Sequence, residues 1–183
     1  MAGRRAGRSR AVPGGPAHHR GAAQGAVLRL GAAVITVSST RTRETDESGD
    51  LIQAAFEGAG HRVHFRAIVK DDARQIQAAV RRALKLREVD IIVTSGGTGM
   101  GRSDVTVEAL TPLMEKRADG WGDTFRAVSR EEIGNAAFLS RSVAGLASGK
   151  WIVAIPGSKG AARTAMANLL LPELPHMVWE ARR

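Results

Sequence analysis

Apolar residues along this 183-residue chain fall into two alternating rhythms. One is the short unbroken run. AAVITVS (32–38) and VDIIVTS (89–95) are apolar and β-branched, so both read as strands buried on two faces. RVHFRAIV (62–69) alternates as a further strand, and KWIVAIP (150–156) is a late strand stopped by Pro156. The other rhythm is helical. ESGDLIQAAFEGAG (47–60) carries Leu51, Ile52, Ala55 and Phe56 at helical spacing and ends in glycines. DDARQIQAAVRRALKLRE (71–88) places Ile76, Val80, Ala83 and Leu84 on one stripe, with Asp71 or Asp72 able to cap it.

After the third strand the pattern predicts a helix from about Val105 to Lys116. Another, over 121–134, is expected to turn Phe125, Val128 and Ile133 inward. LSRSVAGLASG (139–149) is too rich in small residues to assign, and 157–174 reads as a loop entering a long last helix. Strands alternating with helices indicate an α/β domain with a mostly parallel sheet. Ligands of such sheets sit at the carboxyl ends of the strands. That rule gathers segments 38–49, 70–72, 95–104 and 156–161 on one edge.

Charge changes this picture little. The formal net charge is +9, but Arg4, Arg5, Arg8, Arg10, Arg20 and Arg29 carry six of those charges with no acid before residue 31. The remainder holds 21 basic and 18 acidic residues, a balance that argues against a nucleic-acid partner. Residues 1–26, rich in Gly, Ala, Arg and Pro, lack an apolar face and read as a disordered tail before a single domain over 27–183. Cysteine is absent, which excludes disulfides, thiolate metal sites and a cysteine nucleophile. No apolar run approaches the ~20 residues of a membrane helix. The expectation is a cytoplasmic protein with no membrane partner.

The chemistry concentrates in SGGTGMGRSD (95–104). Gly96, Gly97, Gly99 and Gly101 allow positive φ and close backbone approach, while Ser95, Thr98 and Ser103 add hydroxyls. Consecutive amides and the following helix N-terminus suit an anion. The string nearly spells a P-loop, but Arg102 stands where that loop needs lysine, and Asp104 follows the serine. A bare carboxylate against a phosphate at ~4 Å costs about 4 kcal/mol at an effective dielectric of ~20. A divalent cation between them reverses the sign, so Asp104 reads as a metal or nucleotide-positioning residue, with a helix cap as the alternative. IPGSKGAAR (155–163) offers a second anion loop through Pro156, Gly157, Ser158 and Lys159. Asp46, Asp71 or Asp72 could help hold a metal, and the histidines form no pattern.

TSGGTGMGRSDVTVEAL resembles the signature of the molybdenum-cofactor biosynthesis domain of the MoaB/Mog family. FLSRSVAG, IPGSKGAARTA and TVSSTRTRETDESG resemble three further blocks of that family, in the family's order, and the likeness spans about residues 31–175. The resemblance implies a three-layer α/β/α fold, with trimers or hexamers. It implies binding of molybdopterin and adenylylation of its terminal phosphate by Mg-ATP with release of pyrophosphate. The alternative within the same pathway is a non-catalytic molybdopterin-binding or scaffold oligomer. Carried over by position, Gly96, Gly97, Thr98 and Gly99 match the substrate-phosphate loop, and Asp104 the required aspartate. Asp71 matches the acid associated with Mg²⁺ and ATP, Ser140 and Arg141 the block near the pterin, and Pro156, Gly157 and Ser158 the second ligand loop. The chain departs from the pattern at Lys70 and Val107, where the family has proline, and its arginine stands one place early at Arg102.

Overall fold

The structure, a computed structural model, describes residues 29–183; the arginine-rich tail expected over 1–26 lies outside them. Strands β1 (Gly31–Val37), β2 (Arg62–Val69), β3 (Ile91–Ser95), β4 (Lys116–Arg117), β5 (Val143–Ala147) and β6 (Lys150–Ile155) form one six-stranded sheet in the order β2-β1-β3-β6-β5-β4. β2, β1, β3 and β6 run parallel, with Val34 opposite Val93 and Val93 opposite Val153. β5 and β4 add an antiparallel edge.

Period-two alternation splits the strands between two cores. Val34, Val93, Val153 and Ile155 face one side with Ile52 and Phe56 of helix α1 (Glu47–Gly58). Ile35, Ile92, Ile152 and Ala154 face the other with Ile76, Val80 and Ala83 of α2 (Ala73–Leu84). Helices on both faces of a mostly parallel sheet make the expected three-layer α/β/α sandwich. Helix α2 begins as its sequence predicts, with Asp72 accepting from the Gln75 amide at 2.9 Å. The hand-off from β1 to β2 on one side and β3 on the other puts the switch point between the carboxyl ends of β1 and β3.

Four expectations change. The helix predicted to reach Lys116 is only α3 (Thr106–Leu110) and a 3₁₀ turn, Thr111–Leu113, containing Pro112. Residues 116–117 pair as β4 instead. The unassigned small-residue segment is β5, whose Ala144 and Gly145 fit between close neighbours; a Cβ on Gly145 would lie 2.5 Å from the Lys116 carbonyl oxygen. In α4 (Gly120–Ile133) Phe125 is buried and Val128 half-buried, but Ile133 is 54% exposed because the helix ends there, at Gly134 with φ +64°. The last region is helical almost throughout, as α5 (Lys159–Ala165), a π segment (Met166–Leu170) and α6 (Leu171–Arg182). The π turn lies just ahead of Pro172 and Pro175, which cannot donate to the helix ladder.

Candidate functional site at the sheet switch point

β3 delivers its chain into the glycine loop beneath the carboxyl end of β1. Gly96 has φ +112° and its amide donates to Ile155 O at 3.0 Å, which anchors the loop to β6. A Cβ on Gly96 would meet Val37 O at 2.2 Å, so only glycine lets the loop cross β1 here. Thr106, fully buried, locks the turn from below: its hydroxyl donates to Gly96 O at 2.8 Å and its amide to Gly97 O at 2.9 Å. The amides of Gly97, Thr98, Gly99, Met100, Arg102 and Ser103 donate to no described residue. They are the donors this loop has to offer. The helix after it is five residues long, so its dipole adds less than the sequence pattern implies.

The second loop closes against the first. Gly157 lies so near that its Cβ would be 3.1 Å from Gly96 Cα. Asp71 arrives from the end of β2: its Oδ1 is 3.4 Å from where a Gly97 Cβ would stand. Ser39 donates to Asp71 Oδ2 at 2.7 Å, which orients the carboxylate and leaves Oδ1 open. Asp104 does not cap α3, whose N-cap Val105 makes no side-chain bond. Its Oδ2 instead accepts the Gly101 amide at 2.9 Å, tying the two ends of the loop's outer turn.

Arg141 reaches back to the glycine loop. Its Nε donates to Gly99 O at 2.9 Å and Thr98 O at 3.3 Å, and Nη2 to Asp104 O at 2.8 Å. The remaining guanidinium edge pairs with Glu108, holding that carboxyl below its usual range. Arg141 therefore grips the glycine loop by its carbonyls and leaves the loop's amides unused. Ser140, beside it, opens onto a cavity of about 310 Å³ that Arg117, Arg126 and Arg141 also line.

Two predicted residues are otherwise engaged. Ser95 is fully buried under the loop, 3.5 Å from Pro156 O, and Ser158 accepts the Ala161 amide at 3.1 Å as the cap of α5. Lys159 extends to Glu47 at 3.1 Å, but both side chains are more than half exposed. Such pairs are worth ~0–1 kcal/mol, so the ammonium is available to a phosphate. Of the candidate metal acids, Asp46 is fully buried; it accepts from Thr36, Gly49 and Arg66, and Asp72 is a cap. Asp71 and Asp104 each keep one oxygen unbonded. Among the described residues no three acids or histidines form a metal cluster. The donor set fits a cation that retains waters and takes its other ligands from a bound phosphate, which is how Mg²⁺ is usually held. Sequence reasoning missed Ser39 and Glu108. The hydroxyl cluster after β1 was a signal for the first; Glu108, four residues beyond Asp104, was a weak one for the second.

A family model described as "probable molybdopterin binding domain" matches residues 33–176. The chain is 45% identical over 151 residues to molybdenum cofactor biosynthesis protein B of Bacillus cereus, covering 82% of this chain and 89% of that protein. To the protein of the same name from Bacillus subtilis it is 44% identical over 151 residues, with the same coverages. A crystal structure of molybdenum cofactor biosynthesis protein B superposes with a TM-score of 0.84 at 43% identity, covering 86% of this chain and 99% of that one. The tungsten cofactor synthesizing protein MoaB from Pyrococcus furiosus superposes with a TM-score of 0.76 at 33% identity, covering 84% and 98%. Among the described residues no helix is long and apolar enough to cross a membrane.

Proposed function

We propose, from the premise that this chain belongs to the molybdopterin-binding domain family of molybdenum cofactor biosynthesis, that it adenylylates molybdopterin. A role in molybdenum cofactor biosynthesis follows from the family; the reaction is our reading of the site. The observation that carries it is the meeting of three loops at the switch point: the glycine loop has Gly157 of the second loop beside its Gly96 and the Asp71 carboxylate beside its Gly97.

In this reading an oxygen of the pterin's terminal phosphate attacks the α-phosphorus of ATP. The bond from that phosphorus to the α–β bridging oxygen breaks, and pyrophosphate leaves with the electron pair. No protein nucleophile is needed, because the substrate supplies it. The chain's work is positioning and charge neutralisation. The amides of Thr98, Gly99 and Met100 hold phosphate oxygens, and Lys159 turns from Glu47 to the second anion. Arg141 holds the loop by its carbonyls. Asp71 and Asp104 are the residues that would hold Mg²⁺, which when bound screens the carboxylates from the phosphates. Assembly into a homotrimer or homohexamer belongs to the same reading. It is supported by Phe138 and Leu139, apolar side chains 74% and 49% exposed, and sedimentation equilibrium tests it.

The test incubates the protein with molybdopterin and Mg-ATP and follows adenylylated pterin and pyrophosphate together. Asp104→Asn, whose amide oxygen still accepts the Gly101 N–H, is expected to lose about 10²- to 10³-fold in rate, the scale of removing one electrostatic group from such a site. No product from the wild type, with pterin still bound, overturns the transferase and leaves a binding or scaffold role.

A further inference from the structure

On the far side of the second loop lies a cavity of about 100 Å³ between α4 and α5. Ser140, Pro156 and Ser158 line it, so it adjoins the second loop, whose Gly157 lies beside Gly96. Its apolar lining comes from Phe125, Ile133, Pro156 and Ala161. Its polar lining is unusual for a site beside a phosphate loop. No cation lines it, and one carboxylate, Glu132, does.

Glu132 is an exposed residue whose carboxylate is nevertheless fixed in place. Thr164 donates to its Oε2 at 2.8 Å, which fixes the carboxylate. That leaves Oε1 with no donor among the described residues. The carboxylate lies over Gly160, where a Cβ would come within 2.9 Å of Oε1, so α5 makes room for it at this one position. One helical turn earlier, Ser129 also lines the cavity; it is 5% exposed and its hydroxyl has no hydrogen-bond partner. A buried hydroxyl left unpaired costs about 1–3 kcal/mol, an arrangement that a ligand's polar edge would relieve.

The Glu132 carboxylate disfavours an anion here. A flat ring edge with adjacent N–H and NH₂ donors suits it, because a carboxylate accepts two parallel bonds from such an edge. We propose that this cavity receives the 2-amino-4-oxopyrimidine edge of a pterin, with Glu132 as its specificity residue and Ser129 as an auxiliary partner. The proposal rests on the molybdopterin reading above and divides the site in two. Phosphate lies on the glycine loop, and the ring edge lies between α4 and α5.

The same edge occurs in guanine, so the experiment separates the sources. Quenching of fluorescence is titrated with 6-hydroxymethylpterin, with lumazine (the dioxo ring lacking the amino group) and with GMP as competitors. Molybdopterin retention is measured on the same preparations. The wild type is expected to prefer hydroxymethylpterin to lumazine by about 10- to 100-fold, the discrimination that a bond to a charged group supplies. Glu132→Gln should abolish that preference while the melting temperature holds. Ser129→Ala, which keeps the carboxylate, should retain most of it. Equal binding of the two pteridines by the wild type, or an unchanged preference in Glu132→Gln, overturns the proposal. If molybdopterin is retained in either case, the proposed function stands without it. Preference for GMP over the pterin overturns the pterin assignment and makes the cavity a guanine site. Failure of every pteridine and of molybdopterin to bind the wild type overturns both readings.

Discussion

Gly96→Ala tests the claim that the glycine loop exists because its backbone must cross β1. Two costs can be separated. Gly96 has φ +112°, a region outside the ordinary range of L-residues. Placing a side chain there costs about 1–3 kcal/mol. The new Cβ would also stand 2.2 Å from Val37 O and 3.2 Å from its carbonyl carbon. Val37 is held in register opposite Val69 of β2 and cannot retreat without disturbing that pairing. Forced overlap of this kind costs a further ~1–3 kcal/mol. The sum, about 2–6 kcal/mol, is a large share of a typical stability of ~5–15 kcal/mol. At ~2–4 °C per kcal/mol for a domain of this size, the melting temperature should fall by roughly 5–20 °C. Thermal unfolding followed by circular dichroism reads this directly, with molybdopterin binding measured alongside. Gly58→Ala is the matched control: nothing lies within 4 Å of its Cβ, so a gain of about 0.4–1 kcal/mol is expected. A Gly96→Ala protein that melts within about 2 °C of wild type and binds normally would refute the reasoning.

Two further outcomes concern ionisable groups, one buried at the carboxyl end of the sheet and one partly buried at its amino end. Arg66→Met strands the fully buried Asp46 carboxylate, whose ion pair to Arg66 spans 2.6 Å; a loss of about 3–5 kcal/mol in urea unfolding is expected, and a loss under ~1 kcal/mol would show that Thr36 and Gly49 suffice to hold the charge. Burial pushes the His61 imidazole below its ordinary value of 6.5, and its Nδ1 accepts the Leu30 amide at 3.4 Å. The unfolded chain therefore binds this proton more readily, so the contribution is complete above about pH 6.5 and declines as the pH falls through that value toward the folded pKa; melting curves between about pH 5 and pH 7.5 should show a slope that His61→Asn flattens.

Much of the architecture is legible in neighbouring residues. Unbroken β-branched runs joined by helical stripes require a sheet covered on both faces, because each run must bury both of its sides. The position of the glycine loop at a strand's carboxyl end follows from that alone, as does the capping of α2 by an acid at 71 or 72. What neighbouring residues could not settle is how each polar group is used. Asp46 and Asp71 look alike in the chain, yet one lies fully buried against Arg66 and the other keeps a free oxygen beside Gly97. Arg141 grips a carbonyl 42 residues away, and Glu132 meets Thr164 across 32. β5 shows the same limit: its small residues carry little periodic signal, and its place beside β6 is decided by the space between neighbouring strands. Periodicity reports only which side of an element is apolar. Which donor meets which acceptor is decided by the packing of elements distant in sequence, and so only the tertiary structure separates the residues that build the site from those free to act in it.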